Sequence, residues 1–289
     1  MSSRKRKPTF VLVIPRFEDI FHSYYAGEII QGVSLSASRL NADFLIHITD
    51  RTNHQGWLDS TLMDINYIDG IIFADIDNDV GVVKKAIRRG MPCIVLNNIL
   101  DEPINYVAVD NYAAAVGVVD HFLKLGHTQI ATIAGDISTQ AGLKRLDGYR
   151  EALQAKDIVV PRNYVTFGEF LRTPARIAAK KLLNLKNRPT AIFAASDVMA
   201  LEVIDAARVL GIRVPEELSV VGFDANPLST IGSIKLTTVS QPLVEMGRLG
   251  AESIFQISRG KVKLPLKVVL PTKLIKRHSV SSVGGATKG

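Results

Sequence analysis

Residues 196–246 read SDVMALEVIDAARVLGIRVPEELSVVGFDANPLSTIGSIKLTTVSQPLVEM. The stretch follows the apolar run AIFAA at 191–195. It carries Asp197 near its start, an amphipathic helical pattern closed by Gly211, a second apolar run SVVGF ending in Asp224, and then Gln241. Two short apolar runs joined by a helix read as parallel strands, because parallel neighbours need a crossover connection. The two carboxylates then stand where those strands stop. In open α/β sheets that edge is where loop backbone and helix N-termini converge on a ligand, so the placement points to recognition of a small molecule.

The same alternation extends in both directions. FVLVI at 10–14 precedes a helical pattern over 24–40, with Ile29, Ile30, Val33 and Ala37 on one face. DFLIHI, a helix near 58–65, DGIIFA, a helix over 80–89 capped by Gly90, and CIVL complete a first series. VAV at 107–109 leads into a helix over 113–125 closed by Gly126, and a second series begins at IATIAG. It continues with helix 143–156, YVTF, helix 174–185, AIFAA, helix 198–210 and SVVGF, followed by a helix over 242–259 and a late strand KVVLP. The pattern predicts an α/β fold of two tandem doubly wound, Rossmann-like parallel-sheet subdomains, each sheet covered on both faces. No Ser/Gly-rich linker separates them. The expected division is a basic tail at 1–8, a first subdomain from 9–110 with 242–260, a second from 111–241 with 261–280, and a tail at 281–289, joined by a hinge of several strands.

Composition bounds the function classes. The 289 residues are 47% apolar and 22% charged, ordinary for a globular chain of about two domains. Cys93 is the single cysteine, so no intrachain disulfide is possible, and within PCIVL it reads as a small buried hydrophobe. FVLVI is too short for a secretory core of about 7 to 15 apolar residues, and no run approaches a membrane span. A cytoplasmic protein without a membrane partner is expected. Of the formal charge of +7, Arg4, Lys5, Arg6 and Lys7 supply a large part in one short tail, which reads either as a nucleic-acid arm or as a solvated tail.

Nearly every apolar run ends in a hydrogen-bonding side chain: Arg16, Asp50, Asp75, Asn97 and Asn98, Asp110, Asp136, Ser196 and Asp197, and Asp224. Such residues also cap the following helix, so capping is the competing reading at any single position. Two such rims facing one another would enclose a polar cleft.

SDVMA, then GIRVPEELSVVGFD, then LTTVSQPLVEMG together resemble the ligand-binding core of the LacI/GalR family of bacterial transcription regulators, which is built like periplasmic sugar-binding proteins. YYAGEIIQG at 24–32, DGII at 69–72, VDN at 109–111, HFLKLGHTQIATIAG at 121–135 and KRLDGYREAL at 144–153 extend the resemblance over about residues 9 to 280. The resemblance implies ligand contacts at Tyr24 or Tyr25, Asn97 with Asn98, Arg145, Ser196, Asp197, Asp224 and Gln241. It further implies a homodimeric effector-binding core whose small polar ligand, a sugar, sugar phosphate or purine, controls operator DNA binding through an N-terminal helix-turn-helix absent from this chain. A core fragment and a headless cytoplasmic sugar- or nucleoside-binding relative are both compatible with that absence. The helices near 80–89 and 113–125 are candidate association surfaces. Asn97-Asn98 replaces an Asp-Arg pair common in the family, Glu202 replaces a glycine, and Arg16-Phe17-Glu18 is an atypical lead into the first helix. Arg145 could instead pair with Asp147 on a helix surface, and the tyrosines could be core.

An enzyme is the competing class. Asp197 and Asp224 could form an acid–base pair of the glycosidase kind. However, GxGxxG after the first strand, GxxxxGK[ST] and GxSxG are all missing. Asp120, His121 and His127 lack the i, i+4 spacing of paired helical metal ligands. The expectation is a binding protein with no catalytic residue, no metal and no cofactor.

Overall fold

The computed structural model describes residues 6–15, 23–49, 56–59, 63, 66–76 and 80–284. Arg4, Lys5, Arg16, Phe17, Glu18 and Asp50, all named above, lie outside the described residues, as does most of the helix expected over 58–65. What is described there is a 3-10 turn at Trp57–Asp59. In chain order the elements are β1 (Thr9–Pro15), α1 (Tyr24–Leu40), β2 (Asp43–Thr49), β3 (Gly70–Phe73), α2 (Val80–Arg88), β4 (Cys93–Leu96) and β5 (Tyr106–Val109). They continue with α3 (Asn111–Lys124), β6 (Ile130–Ala134), α4 (Gln140–Gln154), β7 (Val165–Phe167), α5 (Arg172–Leu183), β8 (Ala191–Ala194), α6 (Asp197–Val209) and β9 (Ser219–Asp224). β10 (Thr237–Ser240), α7 (Leu243–Ser258), β11 (Lys267–Leu270) and β12 (Lys273–Ile275) complete the chain.

Two units form. Met1–Val109 with Pro242–Leu270 make the first, and Asp110–Gln241 with Pro271–Gly289 the second. The segment 261–270, expected with the second, belongs to the first because β11 adds to β5 in parallel, pairing Lys267 with Tyr106 and Leu270 with Val109. Only from Pro271 does the chain return, as β12, antiparallel to β10. Neither β10 nor β12 was expected from the residues. TTVS and KLI are too short and too polar to stand out before a partner strand is known.

The first unit is a six-stranded sheet ordered β11-β5-β4-β3-β1-β2. Alternate residues of β1 part to opposite faces, as the two-residue strand period requires. Phe10, Leu12 and Ile14 pack with α1 and α7, while Val11 and Val13 face the cluster that includes Phe73, Val83 and Tyr106. Cys93 lies in that second cluster, buried, with its thiol pushed up by desolvation. On α1 the buried residues are Ala26, Ile29, Gly32, Val33 and Ser36. The stripe is centred on small residues because α7 comes so near that a Cβ on Gly32 would stand 2.0 Å from the Val244 carbonyl oxygen, and one on Gly247 2.4 Å from that of Ile29.

The second unit has the order β12-β10-β9-β8-β6-β7. Phe193, Val221 and Phe223 pack with α3 and α4 on one face. Ile192, Ala194 and Val220 pack with α5 and α6 on the other. In each sheet the strand order reverses beside the first strand of the series, between β1 and β3 and between β6 and β8, which is the switch point where doubly wound sheets open for ligands.

The close approach of α1 and α7 makes a paired prediction. Gly32→Ala forces the two helix backbones apart and should lower stability by about 1–3 kcal/mol. Gly27→Ala, on the same helix with nothing within 4 Å, should raise it by about 0.5–1 kcal/mol. Urea midpoints moving in the same direction would contradict the packing.

Candidate functional site

In the second unit the switch-point edge is built around Arg145. It projects from α4 into the protein and is 3% exposed. Its Nε donates to Asn111 Oδ1 (2.8 Å) and its Nη1 to the Ala195 carbonyl just past β8 (2.6 Å). The guanidinium carbon stands over Phe223, 3.5 Å from the ring centroid, with Phe170 at 5.8 Å. This is the cation–π contact that arginine makes more often than lysine. Asp224, at the end of β9, stands 3.9 Å from Arg145 Nη1 and accepts from Gln241 Nε2 at 2.6 Å. The surface pairing considered for Arg145 is not made: Asp147 faces Lys144 instead, at 3.7 Å.

Ser196 and Asp197 take a different place. Ser196 caps α6, accepting from Met199 N at 3.3 Å. Asp197 is fully buried; its Oδ1 accepts from Thr238 Oγ1 (2.5 Å) and its Oδ2 from Asn226 N (2.7 Å). The carboxylate lies against Gly222 of β9, where a Cβ would approach to 2.3 Å, so glycine is required there. Ala225 N in turn donates to Thr238 Oγ1 at 3.3 Å. These bonds hold Asp224 and Ala225 at φ 115 and 56, a backbone region that costs non-glycine residues about 1–3 kcal/mol each and survives only where neighbours over-determine it. Asp197 therefore acts on Asp224 by fixing its loop.

Burial sets the electrostatics. Desolvation raises the Asp197 carboxyl to about 8, reinforced by the nearby Asp224 charge and opposed by the Thr238 and Asn226 hydrogen bonds. Desolvation also raises Asp224, but Arg145 and Gln241 hold it to about 6. Near neutral pH burial thus favours a protonated Asp197, whose O–H then donates to Thr238 Oγ1, beside an Asp224 kept ionised by Arg145.

In the first unit the strand ends carry amides and phenols together with one buried carboxylate, Asp75 after β3. Tyr24 and Tyr25 open α1 and are half-buried against its core, and the Tyr25 hydroxyl donates to the Ala74 carbonyl after β3. Asn97 follows β4 at φ 64 and is 4% exposed, and its Oδ1 has no hydrogen-bond partner among the described residues. Asn98 is fully buried. With its amide nitrogen turned toward the carboxylate it donates to Asp75 Oδ1 (3.2 Å) and Leu96 O (3.1 Å), so it positions Asp75. Gln241 Oε1, in the second unit, is a further buried acceptor without a partner among the described residues.

Reading the residues in order missed Asn111, Phe170, Phe223 and Thr238. Asn111 directly follows Asp110, which caps α3, and it carried no signal beyond its place in VDN. Phe170 owes its position to the loop after β7, where Glu169 and Phe170 both take positive φ. Glu202, noted as a departure, is 1% exposed and bridged by Arg172 (2.8 Å) and Arg176 (2.7 Å) of α5, so its charge is compensated inside the helix layer. Both ring nitrogens of His127 are engaged, one with Thr190 Oγ1 and the other with Ser281 O, each at 2.9 Å.

The raised Asp197 has a pH consequence. Between about pH 4 and 8 the folded state keeps a proton that the unfolded chain has released, so stability falls as pH rises through that window. Asp197→Asn preserves an acceptor for Asn226 and should flatten the slope of urea midpoint against pH. Equal slopes in parent and variant would show that Asp197 ionises normally.

Comparison with known proteins follows the same lines. Residues 119–280 match the model of the periplasmic binding protein-like domain. The HTH-type transcriptional regulator DegA of Bacillus subtilis strain 168 is 34% identical over 283 residues, 96% of this chain and 82% of the relative. The HTH-type transcriptional repressor CytR of Escherichia coli strain K12 is 33% identical over 251 residues, 85% of this chain and 71% of that protein. The structure of a transcriptional regulator CelR–cellobiose complex superposes with a TM-score of 0.86 at 29% identity, covering 95% of this chain and 85% of that one. With a two-unit parallel α/β architecture, these strand-end residues and identity of this extent, the chain belongs to the LacI/GalR family of transcription regulators and comprises its effector-binding core.

Proposed function

We propose that this core binds a small, uncharged, polyhydroxylated effector, a sugar or nucleoside, and that binding controls operator occupancy by a dimeric regulator. The observation that carries the reading is the cluster of buried Arg145 and Gln241 with half-buried Asp224, in which Gln241 Oε1 lacks a donor among the described residues. An unsatisfied buried acceptor costs about 1–3 kcal/mol, which a ligand hydroxyl relieves. Asn97 Oδ1 in the first unit calls for the same kind of donor. Arg145 is balanced by ionised Asp224, and Asn97 and Asn98 are neutral, so a phosphate would find no uncompensated cation. This favours an uncharged sugar over a sugar phosphate. The cellobiose held by a similar regulator is consistent with that choice.

Tyr24 and Tyr25 supply aromatic faces for C–H surfaces of the ligand, and Ser196 and Asp197 set the loop that presents Asp224. The three chain passages after Val109, Gln241 and Leu270 serve as the hinge through which ligand binding shifts the conformational balance. No chemical step is assigned. Relatives are transcription regulators, and both oxygens of Asp197 are committed to internal partners. A cytoplasmic location accords with regulators of this kind, and among the described residues no helix is long and apolar enough to cross a membrane.

A thermal-shift screen tests the reading with uncharged sugars, nucleosides and their phosphorylated counterparts. An effector at 100 times its Kd should add about 2.7 kcal/mol of stability, and Arg145→Ala or Asp224→Ala should each abolish the gain. Stronger response to the phosphorylated series would refute neutrality, undiminished response in both variants would misplace the site, and turnover of any compound would favour an enzyme.

A further inference from the structure

We propose that the opposite edge of the first unit, formed by its strand N-termini, is a contact surface for the phosphate backbone of duplex DNA. The idea rests on the family's role as DNA-binding regulators but concerns residues of the core itself.

In a parallel sheet with crossover helices, strand N-termini and helix C-termini fall on one edge. In this unit that edge is crowded with cations. Arg39 closes α1 before β2, Arg88 closes α2 before β4, and Arg259, Lys261 and Lys263 lie between α7 and β11. All five are exposed. None has a carboxylate within ion-pair distance among the described residues; Arg259 rests only on the Phe255 ring, 3.9 Å from its centroid.

Most acids near this edge are already paired, Asp101 beside the start of β11 being the exception among the described residues. Asp69 receives Arg6 (3.0 Å) and the Thr9 backbone N–H (2.7 Å), Asp43 faces Lys7 (3.9 Å), and Asp59 is held by Lys85 and Arg89. From Arg259 to His278 the chain has no acidic residue at all. A helix C-terminus explains a basic residue in its last turn, which suffices for Arg39 and Arg88. Lysine on an edge strand guards against unwanted pairing, which suffices for Lys267. Neither reason covers Lys261 and Lys263, which stand beyond α7 and before β11.

The row also has the dimensions of its partner. Arg39 precedes β2 at one end of the order β11-β5-β4-β3-β1-β2, Lys263 precedes β11 at the other, and Arg259 and Lys261 follow α7, whose last turns pack on β1 and β3. At about 4.8 Å per strand the sheet edge is about 24 Å long, the length of roughly seven base-pair steps of about 3.4 Å. Unpaired arginines and lysines spread along a straight edge suit a rigid, regularly charged rod. An acidic peptide would be the other taker, and the competition experiment below separates it from DNA.

The test is anisotropy of a labelled duplex of about 30 base pairs and arbitrary sequence, titrated with the full chain from about 20 to 200 mM salt. A variant carrying Arg39, Arg88, Arg259, Lys261 and Lys263 all changed to Gln is compared with a control neutralised at Lys156, Arg162, Lys180, Lys181 and Lys186 of the second unit. The edge variant should bind at least about 10-fold more weakly near 50 mM salt and lose about four units of the log–log salt slope, while the control matches the parent. Equal weakening in both variants, or none in the edge variant, would overturn the proposal. So would polyglutamate competing as well as unlabelled duplex, which would indicate an acidic protein partner. Should the fivefold variant fail to fold, Lys261→Gln and Lys263→Gln, outside regular elements, should each cost about 0.9 slope units. The effector-induced thermal shift should be unchanged in every variant, which separates failure of this surface from failure of the ligand reading.

Discussion

Burying an aspartate under a strand demands that a neighbouring residue have no side chain and that both carboxylate oxygens find hydrogen-bond partners. Asp197 meets these conditions with Gly222, Thr238 and Asn226, and the binding edge of the second unit follows from it. The bond to Asn226 folds the chain back just after β9, and Thr238 takes up Ala225 N, so Asp224 is held at a backbone angle it would otherwise avoid. That angle brings its carboxylate toward Arg145 and within reach of Gln241. The cost is a carboxyl that keeps its proton near neutrality, which also means that the edge does not carry two like charges.

Arg145 illustrates how a cation can be buried on partners of several kinds. Its carboxylate lies at 3.9 Å, longer than a hydrogen bond, and solvation is replaced by an amide oxygen, a main-chain carbonyl and the face of Phe223. Such an arrangement holds the guanidinium in one orientation, which is the preorganisation that binding rewards. The first unit provides amides, phenols and the buried carboxylate of Asp75 where the second provides Arg145, Asp224 and Gln241. Each unit thus presents its own set of polar groups at its strand ends.

The same topology gives the first unit two unlike edges. Strand C-termini end in amides, phenols and the buried carboxylate of Asp75, while strand N-termini and helix C-termini gather arginine and lysine most of whose neighbouring acids are already paired. Because a parallel sheet sends every crossover helix in the same sense, this division is a property of the architecture, and the sequence decorates it.

Much of this was legible residue by residue. Apolar runs of strand length alternating with helical periodicity define the doubly wound class, because local burial on both faces leaves a local pattern. Asp224 and Asn97 could be named from their place after those runs, and Arg145 and Gln241 from the resemblance to the family. The roles of Asp197 and Asn98 could not, because Thr238 lies 41 residues from Asp197 and Asp75 lies on a different strand end from Asn98. Nor could the sheet edge that takes residues 267–270, since β5 and β11 are joined only by non-local pairing. Period and composition are set along the chain and determine which elements exist. Which strand end meets which side chain, and therefore which carboxylate is free for a ligand and which is consumed in holding a loop, is decided only when distant segments share one desolvated space.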